Sequence, residues 1–198
     1  MPTSSTVRSA FAAIVYAIVV ASAGIAGAAS AQSTRDLQVQ VETVGDEIRT
    51  RASLFVPAPQ QRVWDVITDY DRAAGFIHDL EVSKILSRSG NTLRVFQKNQ
   101  FRFGPFTIPV ESVRDVKLVA PVRSESRLVS GSMKKYDATT MLVPEAGGTR
   151  ILYRSMAIPD SALAIFASDA RVKRETEEHF NQLRAEILRR EHVAAARQ

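Results

Sequence analysis

The chain has 198 residues, no cysteine and a formal net charge of +5. That length suits one domain with one core, and the missing cysteines exclude a disulfide framework, a lipoprotein attachment site and thiolate metal chemistry. The basic excess is small, and its densest runs, Arg171 to Arg174 and Arg189-Arg190, lie among glutamates as on a solvated helix face. No basic stripe interleaved with aromatics marks a nucleic-acid surface, so none is expected as a partner.

Residues 1–31 read as a signal peptide. Arg8 supplies the positive start, Ala10 to Ala29 form an apolar stretch of small residues, and Ala29-Ser30-Ala31 fits the small-x-small pattern of a cleavage site. Cleavage after Ala31 predicts an exported, periplasmic protein. The alternative is an uncleaved membrane anchor, because the apolar run is nearly long enough to span a bilayer.

Residues 32–46 are polar apart from the alternating "LQVQV", which reads as a flexible lead-in or an extra strand. The folded domain is expected over 47–192. In "EIRTRASLFV", Ile48, Thr50, Ala52, Leu54 and Val56 alternate with Arg49, Arg51 and Ser53, the period of a strand. Pro57 ends it. Pro59 suits the first position of a helix, where its missing N–H leaves nothing unpaired. Val63, Trp64, Ile67 and Tyr70 then recur at helical spacing, and Asp71 is placed to cap a second short helix from Arg72 to Ile77.

Beyond His78 the pattern is strand-like for about eighty residues. Six runs are separated by turns at Gly90-Asn91, at "FGPF" (Phe103 to Phe106), near Ala120-Pro121, at Gly131 and at "PEAGG". Such succession reads as an antiparallel meander. Pro109 interrupts one run and implies an edge, a bulge or a shift in pairing. The chain closes with a helix expected from Asp160 to Arg190, where Leu163, Phe166, Ala170, Phe180, Leu183 and Ile187 share a face. The fold class is therefore α+β. About seven antiparallel strands form a curved sheet around a long C-terminal helix, and two small helices close one end.

This order resembles the START-like (SRPBCC, helix-grip) superfamily, and its nearest branch looks like the polyketide cyclase/dehydrase and coenzyme-Q-binding START family. The likeness rests on "VPAPQQRVWDVITDYDRAAGFI", "SRSGNTLRVFQ", "GGTRILYR" and the closing "IPDSALAIFASDARVKRETEEHFNQLRAEILRR". It covers roughly Glu47 to Arg190. Relatives often carry a tryptophan on the strand before the "GGT" turn, where this chain reads "YDATTMLVP". The resemblance implies a cavity for a hydrophobic ligand, without naming the ligand, since the fold hosts carriers, receptors and cyclases.

The residues offer little conventional catalytic machinery. His78, His179 and His192 have no partner at metal-ligand spacing. Asp65, Asp69, Asp71 and Asp79 look clustered, yet a solvent face, a cap and a strand start account for Asp65, Asp71 and Asp79. Tyr136 and Asp137 are adjacent on a strand and so point to opposite faces. No catalytic residue, metal or cofactor is assigned. The expected cavity residues are Phe76, Ile77, Phe101, Phe103, Phe106, Tyr153, Leu163 and Phe166, with Met141 and Met156 as further lining. Trp64 is read as an anchor between helix and sheet.

The expected function is binding of a hydrophobic or amphipathic small molecule, a lipid or an isoprenoid quinone, between sheet and closing helix, with transient membrane contact as a further interaction. Two alternatives stand beside it. A cyclase or dehydratase acting on a polyketide-like substrate would place Arg154, Tyr136 or His179 in the cavity. A ligand-free interaction module would fill the cavity with its own side chains.

Overall fold

The computed structural model describes residues 37–103, 106–165 and 167–196, leaving aside the side chains of residues 101–103, 106 and 162. The expected signal peptide, the Gly104-Pro105 turn and Phe166 lie outside the described residues. Eight strands form one antiparallel sheet: β1 Leu37–Val44, β2 Glu47–Val56, β3 Leu80–Ser89, β4 Thr92–Phe103, β5 Phe106–Val119, β6 Arg123–Gly131, β7 Met133–Glu145 and β8 Gly148–Pro159. Their spatial order is β1-β2-β8-β7-β6-β5-β4-β3. The meander thus runs from β3 to β8, and β8 returns to pair with β2, from Ile48 opposite Ala157 to Val56 opposite Thr149.

The strand count exceeds the expected seven by β1. "LQVQV" pairs along β2, from Leu37 opposite Leu54 to Val44 opposite Glu47, and buries Val39. On β2 the alternation in the sequence is the alternation in burial. Ile48, Thr50, Ala52, Leu54 and Val56 are all buried, and Arg49 and Arg51 are exposed. Pro109 sits opposite Gln100 in β5, in a stretch where β5 pairs with β4 alone, since β6 joins only from Ser112 onward. A residue without an N–H removes no ladder bond there.

Three helical details differ from the sequence expectation. Pro59 stands at the N-cap of α1 (Gln60–Ile67), one residue before the predicted first position, and its carbonyl accepts the Val63 N–H at 3.1 Å. The second helix is a 3₁₀ turn over Tyr70–Gly75. Asp71 lies inside it and accepts the Ile85 N–H of β3 at 2.8 Å instead of capping. The closing helix is not continuous: α2 (Ser161–Ala164) is separate from α3 (Asp169–Ala195). Ser168 adopts an extended conformation at the start of α3, with Asp169 in the first turn. That Ser-Asp pair favours a fresh helix start over continuation, because Ser prefers the cap and Asp suits the positive end of the dipole.

The largest core cluster lies where α1 and the C-terminal half of α3 meet β2, β7 and β8. Leu54, Val56, Val63, Leu142, Ile151 and Ile187 are at most 2% exposed there. Trp64 belongs to this cluster, in the anchoring role expected of it. A second cluster, Leu93, Val95 and Val116, lies across the sheet under Tyr70. The stretch of sheet between the two is where the core is not filled.

Candidate functional site: an internal cavity

The inward positions of the central strands carry short side chains. They are Ser124 and Ser126 on β6, Ala138 and Thr140 on β7, and Ser155 and Ala157 on β8. A close-packed core would need Leu, Ile or Phe at such sites. Opposite them the N-terminal half of α3 presents Arg171, Val172, Glu175, Thr176 and His179. Neither wall reaches the other, and a cavity of about 760 Å³ lies between them. That volume falls inside the ~300–1,000 Å³ range of small-molecule sites.

One end is apolar. Val66, Ile67, Phe76, Ile77, Leu80 and Leu183 line it from α1, the segment after the 3₁₀ turn, the start of β3 and α3. The 3₁₀ turn is held in place by polar ties. Asp69 accepts from Arg72 and from Arg190, each at 2.8 Å, and Arg190 also binds Glu186 at 2.6 Å. Burial pushes the Asp69 carboxyl up, but the hydrogen bonds from Arg72 and Arg190 outweigh it and leave the pKa lowered. The Arg190 guanidinium also lies over the Phe76 ring, 5.5 Å from its centroid. The Gln182 side-chain carbonyl accepts the His78 N–H at 3.0 Å. The four acids that look clustered in sequence are thus dispersed: Asp65 with Gln61, Asp69 with the arginines, Asp71 with β3, and Asp79 at the cavity edge.

Inside the cavity stands a polar group that the sequence does not bring together. Tyr136 and Tyr153 share a hydrogen bond between hydroxyls at 2.9 Å, and the Tyr153 ring packs edge-on against Phe180 at 5.6 Å. Arg114 lies over the Tyr136 ring, 5.5 Å from its centroid. Its Nη2 donates to the Gln97 side-chain carbonyl, and Gln97 in turn donates to Ser83 at 3.0 Å. His179 and Tyr70 complete the group.

Burial pushes the Tyr153 phenol well above its usual pKa, with Tyr136 adding to the rise, and burial likewise raises Tyr70 against the pull of Arg114. His179 is ringed by the cavity walls yet keeps ample accessible surface toward the open space. Its desolvation, with the Arg114 charge beside it, lowers its pKa to about 4. At neutral pH the phenols and the imidazole are therefore uncharged, and Arg114 is the cation among them.

Of the expected cavity residues, Phe76, Ile77, Tyr153 and Leu163 line the space. The side chains of Phe101, Phe103 and Phe106, and Phe166 altogether, lie outside the described residues; the backbone pairs Phe103 with Phe106 at the tip of the β4–β5 hairpin. Met141 and Met156 are corrections. They occupy the alternate, outward positions next to Thr140 and Ser155, and Met141 is 37% exposed. Arg154 is also outward and exposed, whereas Tyr136 and His179 project inward. Arg114, Gln97 and Ser126 were missed. The signal for them is the inward phase of β4, β5 and β6, which the register fixes but the local sequence does not. Among the described residues, no group of His, Asp or Glu is placed to hold a metal ion.

An antiparallel sheet that grips a C-terminal helix across a cavity defines the helix-grip fold. Residues 56–160 match the family described as polyketide cyclase / dehydrase and lipid transport, and the chain belongs to that family. Solved structures agree at the level of the fold. A STAR-related lipid transfer protein from Xanthomonas axonopodis superposes with a TM-score of 0.63 at 16% identity, covering 77% of this chain and 94% of that one. TTHA0849 from Thermus thermophilus gives 0.62 at 18% identity, with 71% and 97% covered. The Zhui aromatase/cyclase from Streptomyces sp. R1128 gives 0.56 at 15% identity, with 73% and 95% covered. No curated protein matches the chain in sequence.

Proposed function

We propose that this protein holds one hydrophobic or amphipathic small molecule, of the lipid or isoprenoid quinone class, in the cavity between its sheet and α3. The observation that carries the reading is the inward row of Ser, Ala and Thr on β6, β7 and β8, which leaves about 760 Å³ open where a core would close. Transfer of apolar ligand surface from water drives binding at roughly 25 cal/mol per Å². Burying about 300 Å² would give about 7 kcal/mol before the cost of immobilising the ligand. The polar group at Tyr136, Tyr153 and Arg114 then fixes which way the molecule lies.

Ala138→Phe tests this reading. Ala138 sits mid-sheet, opposite Ser126 on one side and Ser155 on the other. In an open cavity a phenyl ring there fits without strain, so stability stays within about 1 kcal/mol of wild type, and affinity for a fluorescent fatty-acyl probe falls at least about tenfold. In a packed core the same change costs about 1–3 kcal/mol, and that cost with unchanged probe binding would contradict the reading.

A second reading has its own support. Tyr136 and His179 project into the cavity, as a cyclase or dehydratase acting on a polyketide-like substrate requires. In that case Tyr136→Phe would abolish turnover of a poly-β-keto substrate while leaving its affinity nearly unchanged. A carrier shows no turnover in either form. The open cavity gives no support to a ligand-free interaction module.

Export belongs to the same proposal and rests on the sequence of residues 1–31. N-terminal sequencing of the protein from its native source is expected to begin at Gln32. A start at Met1 or Pro2 would contradict cleavage.

A further inference from the structure

We propose that the ligand of this cavity is a monoanion, a single-chain amphiphile ending in a carboxylate, and that Arg114 is the residue that receives it. The inference rests on the cavity-binding reading and adds the chemistry of the head group.

A guanidinium has five N–H donors and a charge it cannot lose. Arg114 uses one donor on a neutral acceptor, Gln97. Its Nε is shielded from solvent and has no hydrogen-bond partner among the described residues. No carboxylate among the described residues pairs with it. The contrast within the same molecule is sharp. Arg190 is held by Asp69 and Glu186, Arg94 by Asp115, and Arg62 by Glu191. A half-buried cation without a counter-charge is unfavourable unless something supplies one. Gln97, itself held by Ser83, and the Tyr136 ring beneath fix the guanidinium, so it is positioned before any ligand arrives.

The surroundings suit an anion and limit its charge. Tyr70, Tyr153 and His179 are neutral neighbours, and they and the Tyr136 hydroxyl offer hydrogen-bond donors to a carboxylate. The Tyr136–Tyr153 contact consumes one hydroxyl proton of the two. Ser126, on the inward face of β6, has a buried hydroxyl with no partner among the described residues. Among the described residues no lysine lines the cavity, and its other two arginines, Arg171 and Arg174, stand beside Glu175 and Glu178. Among the described lining arginines only Arg114 has no carboxylate partner, and one such cation matches one negative charge and does not match a phosphate dianion. The apolar end at Phe76, Ile77 and Leu183 takes the chain.

Isothermal titration of the purified protein at pH 7.5 with laurate, methyl laurate and dodecyl phosphate tests this directly. The wild type is expected to bind laurate about 10- to 100-fold more tightly than the ester, the range of a charge-assisted hydrogen bond, and more tightly than the phosphate. Arg114→Met should lose that preference while binding the ester within about threefold of wild type, and Arg114→Lys should keep part of it. The wild-type comparison needs no variant, so misfolding cannot mask the answer. Equal affinity for acid and ester, or tighter binding of the phosphate, overturns the proposal and leaves the cavity reading intact. Failure to bind any of the three overturns both. Melting of the ligand-free variants gives an independent readout. Relief of an unpaired charge predicts an unchanged or higher Tm for Arg114→Met, and a lower one would assign Arg114 to the structure instead.

Discussion

Arg190 and Arg114 show how one residue type serves two ends. Arg190 closes a network with Asp69 and Glu186 whose side chains are 17%, 11% and 9% exposed. The hydrogen bond from Arg189, with Arg190 beside it, lowers the Glu186 pKa to about 2. The network lies close beneath the surface, with Arg189 64% exposed, so water screens part of it. Glu186→Gln is therefore expected to cost about 1–2 kcal/mol in denaturant unfolding, less than the ~3–5 of a deeply buried pair.

The signs of two pH effects follow from the same residues. His179 has a folded pKa below its unfolded one, so the unfolded chain takes up the proton first. Stability is full above about pH 6.5 and is lost as pH falls toward about 4. Glu186 is also lowered, so its contribution is full above the ordinary carboxylate range, near 4.5, and is lost as pH falls toward 2. Thermal melts from pH 7.5 to 2.5 should show both windows in wild type. His179→Gln should flatten the upper window alone, and an unchanged slope there would contradict the desolvation of His179 within the cavity walls.

At the scale of elements, the β7–β8 turn is one of two places where glycine lets backbones meet closely, Gly131 being the other. A Cβ added to Gly148 would lie 2.2 Å from the Val56 carbonyl and 2.9 Å from the Pro57 Cα. Backbone cannot give way as a side-chain tip can, so Gly148→Ala is expected to cost about 1–3 kcal/mol. Gly75, at the end of the 3₁₀ turn, has nothing within 4 Å, and Gly75→Ala should stay within about 0.5 kcal/mol. Equal melting temperatures for the two variants would contradict the close approach of the turn to β2.

Legibility differs among the elements for physical reasons. β2 is readable because one of its faces is buried along its whole length, so burial follows the period of two. The break before α3 was legible only in Ser168-Asp169, because the apolar spacing from Leu163 onward imitates continuity. Tyr153 and Met156 show the limit at the site. Both suit a cavity by type, but only register and phase decide that one faces inward and the other outward. Arg114 was unreadable for a related reason. It lies on the inward phase of β5 with Val110, where a charged side chain is not expected from type, and the register shift beside it leaves the extra residue on β6, at Val129, with the β5 alternation intact. The cavity did leave one direct trace, since Ser124, Ser126, Ala138, Thr140, Ser155 and Ala157 are short residues at alternate positions on three neighbouring strands.

For the whole molecule, the division of labour runs along α3. Its C-terminal half, through Ile187, closes the core with α1 and β2, and its N-terminal half, up to His179, faces the cavity. Stability and binding are thereby separated. The α1 end is well packed while the space against the N-terminal half of α3 stays open. The proposed occupant of this space is one hydrophobic molecule. Native mass spectrometry of the protein purified from its native source, followed by solvent extraction, measures that directly. The expected result is a bound mass of one small molecule per chain, released as a lipid-soluble acid. A clean ligand-free mass, with nothing lipid-soluble in the extract, would contradict it.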